Sequence, residues 1–185
     1  MSSHQIFNAS NTLSFIRLLL IIPVWLAYNY FDEITAGYIV GGIGIFAAIT
    51  DILDGYLARK LNQVTEFGKI IDPLADKVLV VFVVLNLFFL GKIPPYYFYL
   101  IVGRDLLILT GGLIVSKKIG KVLPSDHIGK ATVLAISFTL LMILLNVDRQ
   151  FPIYLIIYYS SIVLIFVSLG NYIIKAIKAL SQKSI

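Results

Sequence analysis

Six apolar stretches divide this chain at 12–30, 35–60, 69–90, 95–116, 129–147 and 152–175. About twenty helical residues cross the ~30 Å hydrocarbon layer of a bilayer, so each run is long enough, or nearly so, to span it. Lipid offers no hydrogen bonds, and at these lengths only a helix satisfies its own backbone N–H and C=O groups. The pattern predicts an all-α integral membrane bundle of six transmembrane helices. No internal repeat or low-complexity linker interrupts the chain, which reads as one domain over 1–185. The composition agrees: 59% of residues are hydrophobic and 14% charged, far from soluble usage. The N-terminal segment lacks a basic n-region and a small-residue cleavage site, so the first run reads as a span and not a leader. Cys is absent, which excludes disulfides and thiolate metal ligands.

Charge orients the spans. Arg59, Lys60 and Lys69 lie between the second and third; Lys117, Lys118, Lys121 and Lys130 between the fourth and fifth; Lys175, Lys178 and Lys183 near the end of the sixth or beyond it. The alternate connections hold Asp32, Glu33, Lys92, Asp148 and Arg149. The excess of Lys and Arg on one side predicts that both termini and the connection after span two face the cytoplasm. A net charge of +5 fits attraction to anionic lipid headgroups and calls for no nucleic-acid partner.

Against this apolar background stand Asp51, Asp54, Asp72 and Asp76. An aspartate at the centre of a span costs roughly 2.5–3.5 kcal/mol on insertion scales, so four of them call for a shared cation. The first pair is spaced i, i+3 and the second i, i+4, and each therefore falls on one face of a helix. Two facing acidic pairs make an all-oxygen set suited to hard divalent ions, Mg²⁺ or Mn²⁺. Gly55 and Ala58 keep the helix surface beside Asp54 bare, so a ligand can approach the backbone. Arg59 can fork onto a phosphate or pair with an aspartate. Gly68 suits a turn or close backbone approach at the start of the third span. Pro73 is best tolerated in a first helical turn, so that span is expected to begin or bend nearby.

Written out, the region is Asp51-x2-Asp54-Gly55-x2-Ala58-Arg59-x8-Gly68-x3-Asp72-x3-Asp76. At every specified position it resembles the signature of the CDP-alcohol phosphotransferases. That resemblance implies transfer of a phosphatidyl group from CDP-diacylglycerol to an alcohol, with release of CMP. Carried over by position, it implies that Asp51, Asp54, Asp72 and Asp76 hold two divalent ions and that Asp76 is also the general base. Asp51, Gly55, Ala58, Arg59 and Gly68 would contact the cytidine diphosphate. A homodimer is implied by analogy with family members; Gly41, Gly42, Gly44, Gly111 and Gly112 allow close helix contacts within one chain or between two.

The acceptor is read from basic residues elsewhere. Asn11-x2-Ser14-x2-Arg17 resembles the start of phosphatidylglycerophosphate synthases, although Asn11 and Ser14 also suit helix caps. Arg17, inside an apolar helix, either binds a phosphate or snorkels to the interface. Arg104 and Lys130, with Arg17, would make a cationic pocket for a phosphorylated acceptor. Arg104 is followed by Asp105, and a buried Arg–Asp pair is a competing reading, although adjacent residues point to different sides of a helix. Two departures favour cardiolipin synthases of the same superfamily, whose acceptor is phosphatidylglycerol. They are Gly103-Arg104-Asp105 and Gly129-Lys130-Ala131-Thr132, which lacks a second lysine. The balance favours sn-glycerol 3-phosphate. A membrane prenyltransferase would be longer and lacks the Asp-Gly-x2-Ala-Arg element. A cation transporter would set its aspartates near the midplane, often on repeated broken helices.

Overall fold

The computed structural model describes residues 15–60, 68–119 and 126–181; within these, residues 53–60, 68–76 and 119 are described as helix backbone only. The described residues are helical throughout apart from short connections. Residues 15–19 form a helical lead into α1 (Ile21–Tyr30); α2 is Glu33–Lys60, α3 Gly68–Phe89, α4 Pro95–Ile119, α5 His127–Leu144 and α6 Pro152–Ser181. Each of the six expected spans thus has its helix.

Each boundary has a local cause. Asp32 starts α2 by accepting the N–H groups of Ile34 and Thr35 at 3.1 and 3.0 Å. Those two bonds, Thr35's the larger, hold the Asp32 carboxyl below its usual range. Gly91 takes φ +69 in the turn after α3, where a side chain would be strained. Pro95 and Pro152 open α4 and α6, at the position where a missing N–H removes no helical bond. α3 starts at Gly68, five residues before Pro73 and not at it. α5 ends three residues earlier than its apolar run because Asn146 adopts φ 52, the left-handed region in which asparagine is among the tolerated residues.

Four helical segments are long and apolar enough to cross a membrane: Glu33–Ile52, Pro95–Lys118, His127–Leu144 and Pro152–Ser181. Phe15–Tyr30 and Lys77–Phe89 are shorter apolar segments among the described residues. Large apolar side chains stay exposed along the helices, Leu107, Leu113 and Ile114 on α4 and Ile156, Val163 and Phe166 on α6 among them. Such rows would be costly against water and are the expected surface against lipid. The chain is an integral membrane protein.

The helices form two compact groups. The first runs through Phe89 and includes Leu144–Asn146; the second holds Leu90–Ile143 and the chain from Val147 onward. In the first, α1 packs mainly on α2 and less on α3, around Val24, Ala27, Ala36, Val40 and Val84. Gly37 on α2 lies directly against the carbonyl of Leu144, a contact that leaves no room for a Cβ.

In the second group α4 packs along α6. Their contacts repeat at seven-residue steps on α4: Tyr97, Arg104 and Gly111. Tyr97 Oη bonds Ser161 Oγ at 2.7 Å, Arg104 Nη2 donates to Ser168 Oγ at 3.0 Å, and Gly111 makes room for the Tyr172 ring. A seven-residue step keeps one face of a helix against its neighbour over several turns. Thr132 ties α5 to α6 by donating to Leu164 O at 3.1 Å, while also reaching Ile128 O at 2.8 Å.

Candidate active site

In the first group the chemistry gathers around Asp51. Arg17 is 1% exposed, although it sits in an apolar helix. Its Nη1 lies 3.0 Å from Asp51 Oδ1, while the Asp51 side chain is 52% exposed. A buried guanidinium thus fixes one oxygen of a carboxylate whose other side is open. A pair with one solvated partner avoids much of the cost of a fully buried ion pair. The sequence reading set Arg17 beside Arg104 and Lys130; here its described ion-pair partner is Asp51.

Asp54 follows on the same helix, one turn further along. Asp72 and Asp76 occur four residues apart early in α3. The side chains of Asp54, Ala58, Arg59, Asp72 and Asp76 lie outside the described residues, as do the surroundings of Gly55 and Gly68. Among the described residues no three His, Asp or Glu side chains converge. The donor chemistry bears on a metal. Asp51 offers a half-exposed carboxylate, two helices carry acidic pairs at one-turn spacing, and softer thiolate ligands are absent from the chain. That set fits Mg²⁺ or Mn²⁺.

The second group contains a cavity of about 530 Å³. Arg104, Ser168, Asp126, Gly129, Lys130 and Lys175 supply its polar lining, and Ile108, Val133, Leu134 and Tyr172 much of the rest. Arg104 and Lys130, both expected on an acceptor, meet here. Arg104 is 7% exposed. It donates to Asp105 Oδ1 at 2.7 Å and to Ser168 Oγ at 3.0 Å. Its Nε–H is buried with no hydrogen-bond partner among the described residues. The Arg104–Asp105 pair forms despite the sequence adjacency, because the long arginine side chain folds back to its neighbour's carboxylate. Lys130 is exposed.

Three further residues, which no motif in the sequence marks as site residues, brace this cavity: Asp126, Asn171 and Lys175. Asp126 caps α5 through Gly129 N–H at 2.7 Å, and its second oxygen takes Lys175 Nζ at 3.1 Å and Asn171 Nδ2. The bond from Gly129 N–H does most to hold the Asp126 carboxyl below the usual carboxylate range, with Lys175 and Asn171 adding to it against partial burial. A local signal for the cap existed, an Asp immediately before an apolar helical run. The two partners on α6, 45 and 49 residues away, left no such mark.

Thr132, at the position of the missing second lysine, is fully buried against α6. It presents no charge to the cavity. Lys175 does, from another helix.

Comparison with known proteins gives the chain its relatives. The CDP-alcohol phosphatidyltransferase family model matches residues 7–170. A CDP-diacylglycerol–glycerol-3-phosphate 3-phosphatidyltransferase of Aquifex aeolicus (strain VF5) is 39% identical over 186 aligned positions, covering 95% of this chain and 99% of the relative. A protein of the same name from Bacillus subtilis (strain 168) is 36% identical over 151 positions, covering 73% and 77%. Six helices, the complete aspartate signature and a family match over most of its length together show that this chain belongs to the CDP-alcohol phosphatidyltransferases.

Proposed function

We propose that this protein transfers the phosphatidyl group of CDP-diacylglycerol to sn-glycerol 3-phosphate. The acceptor hydroxyl oxygen forms a bond to the phosphatidyl phosphorus, the phosphoanhydride bond breaks, CMP departs, and the hydroxyl proton passes to Asp76. Asp51, Asp54, Asp72 and Asp76 would hold two divalent ions, Mg²⁺ or Mn²⁺, whose charge stabilises the diphosphate oxygens as the bond breaks. Gly55, Ala58, Arg59 and Gly68, with Asp51, bind the cytidine diphosphate. Arg17 steadies the Asp51 carboxylate and stands beside it as a candidate phosphate contact.

Arg104 and Lys130 take the acceptor phosphate. The observation that carries this acceptor is the meeting of those two cations, Arg104 and Lys130, in one cavity. Arginine and lysine donors facing a phosphate monoester give strong charge-assisted bonds. The names of the Aquifex and Bacillus relatives support the same acceptor. The reading includes a homodimer in the cytoplasmic membrane, with both termini and the signature on the cytoplasmic side.

The test is CMP release by the purified protein from CDP-diacylglycerol with each acceptor in turn. Release with sn-glycerol 3-phosphate is expected. Release with phosphatidylglycerol alone would make it a cardiolipin synthase, and release with neither would remove the enzyme reading. Asp76→Asn should abolish turnover and leave donor binding largely intact.

A further inference from the structure

The acceptor cavity already contains an anion of its own. Three cations, Arg104, Lys130 and Lys175, line it or reach into its wall, and Asp105 and Asp126 answer two of them. Among the described residues one positive charge is left uncompensated. The two carboxylates are placed differently. Asp105 belongs to Arg104 alone in this network, adjacent to it on the same helix. Asp126 sits between two helices and is itself a cavity-lining residue. One of its oxygens is committed to the α5 cap, and the other holds Lys175 with Asn171. The Lys175 side chain is 39% exposed, so its ammonium can swing toward the cavity while Asp126 keeps Gly129 N–H and Asn171.

We infer that Asp126 is a specificity-determining residue that occupies Lys175 until a dianionic acceptor phosphate replaces it. The inference rests on the glycerol-phosphate reading above. A phosphate monoester has three terminal oxygens and carries about two negative charges near neutral pH. It can take Lys130, Lys175 and the Arg104 guanidinium edge that lines the cavity together, which compensates the lost Asp126–Lys175 pair. A phosphodiester such as the phosphate of phosphatidylglycerol has two non-bridging oxygens and a single charge. Its single charge cannot compensate both lysines, so against it the Asp126–Lys175 pair stays closed. Selection here works through an internal competitor that the wrong acceptor fails to displace. By this route the cavity would distinguish a monoester although position 132 holds a buried threonine.

Asp126→Asn removes the competing charge and keeps a side chain that caps helices as well as aspartate does. Steady-state CMP release is measured with sn-glycerol 3-phosphate and with phosphatidylglycerol, for the parent, Asp126→Asn, Lys175→Met and the double variant. In Asp126→Asn, KM for sn-glycerol 3-phosphate should fall roughly threefold or more, and the kcat/KM preference over phosphatidylglycerol should shrink roughly fivefold. In Lys175→Met that KM should rise about tenfold. In the Lys175→Met background, adding Asp126→Asn should change it less than about twofold, because the two residues act through one pair.

A purely structural cap would lower the melting temperature of Asp126→Asn and leave the acceptor preference where it was; that result overturns the inference. So does an Asp126→Asn effect that persists without Lys175. If Asp126→Asn does not fold, Lys175→Met decides alone, and an unchanged acceptor KM overturns the inference. A parent protein that releases no CMP with sn-glycerol 3-phosphate removes the acceptor reading itself, a failure separate from the others.

Discussion

Gly129→Ala separates a structural role of the α5 start from a functional one. A methyl group at position 129 would lie 2.9 Å from Asp126 Oδ1 and 3.7 Å from Arg104 Nη2. The first distance is too short, so the Asp126 carboxylate must shift, which weakens or breaks its bond to the Gly129 N–H. Losing a helix cap costs about 1 kcal/mol, occasionally 2. Alanine is the better helix former by about 0.8–1 kcal/mol, which offsets most of that loss. Net stability should therefore change by about 1 kcal/mol or less, a melting shift of a few degrees for a chain of this size.

The cavity has no such compensation. The methyl enters the space beside the Arg104 guanidinium, and the displaced Asp126 carboxylate moves among the cations that would take a phosphate. KM for sn-glycerol 3-phosphate should rise about tenfold, while KM for CDP-diacylglycerol should move less than about twofold. Thermal melting in detergent and CMP-release kinetics with each substrate varied in turn read both effects. An unchanged acceptor KM would refute the placement of the phosphate next to Gly129. A parallel rise in both KM values would mean that the variant disturbs the fold and not the cavity.

Arg17→Met should destabilise the protein by about 1–2 kcal/mol, because the Asp51 carboxylate loses its cation but remains half in solvent. It should also raise the Mg²⁺ concentration for half-maximal rate about tenfold, as loss of a group that orients a ligand does; an unchanged Mg²⁺ dependence would separate Arg17 from the metal site. Tyr97→Phe should cost about 1 kcal/mol by removing the 2.7 Å bond to Ser161, measured by melting, with CMP release unaffected; a large kinetic effect would contradict a purely structural role for this bond. The Asp126 carboxyl is held below its unfolded range, so its contribution to stability is complete above the unfolded pKa of about 3.9 and is lost as pH falls through the lower folded value. A melting series from pH 6 downward should show a loss in the acidic limb that Asp126→Asn lacks, and matching curves would refute it.

Much of this protein is legible locally. Six apolar runs in lipid leave the backbone no alternative to helices, and the aspartate spacing follows from the 3.6-residue turn alone. The caps at Asp32 and Asp126, the prolines opening α4 and α6 and the turn at Gly91 each depend on a few neighbouring residues. The pairings are different in kind. Arg17 with Asp51, Arg104 with Ser168, and Asp126 with Asn171 and Lys175 join residues 34 to 64 positions apart. A missing lysine at Thr132 looks along the chain like a missing charge. Lys175 on α6 shows that the cavity has its second lysine after all. Helix formation and helix ends are set by contacts within a few residues, so sequence alone determines them. The charge of a cavity is a sum over whichever helices pack around it, and only the folded protein brings those terms together.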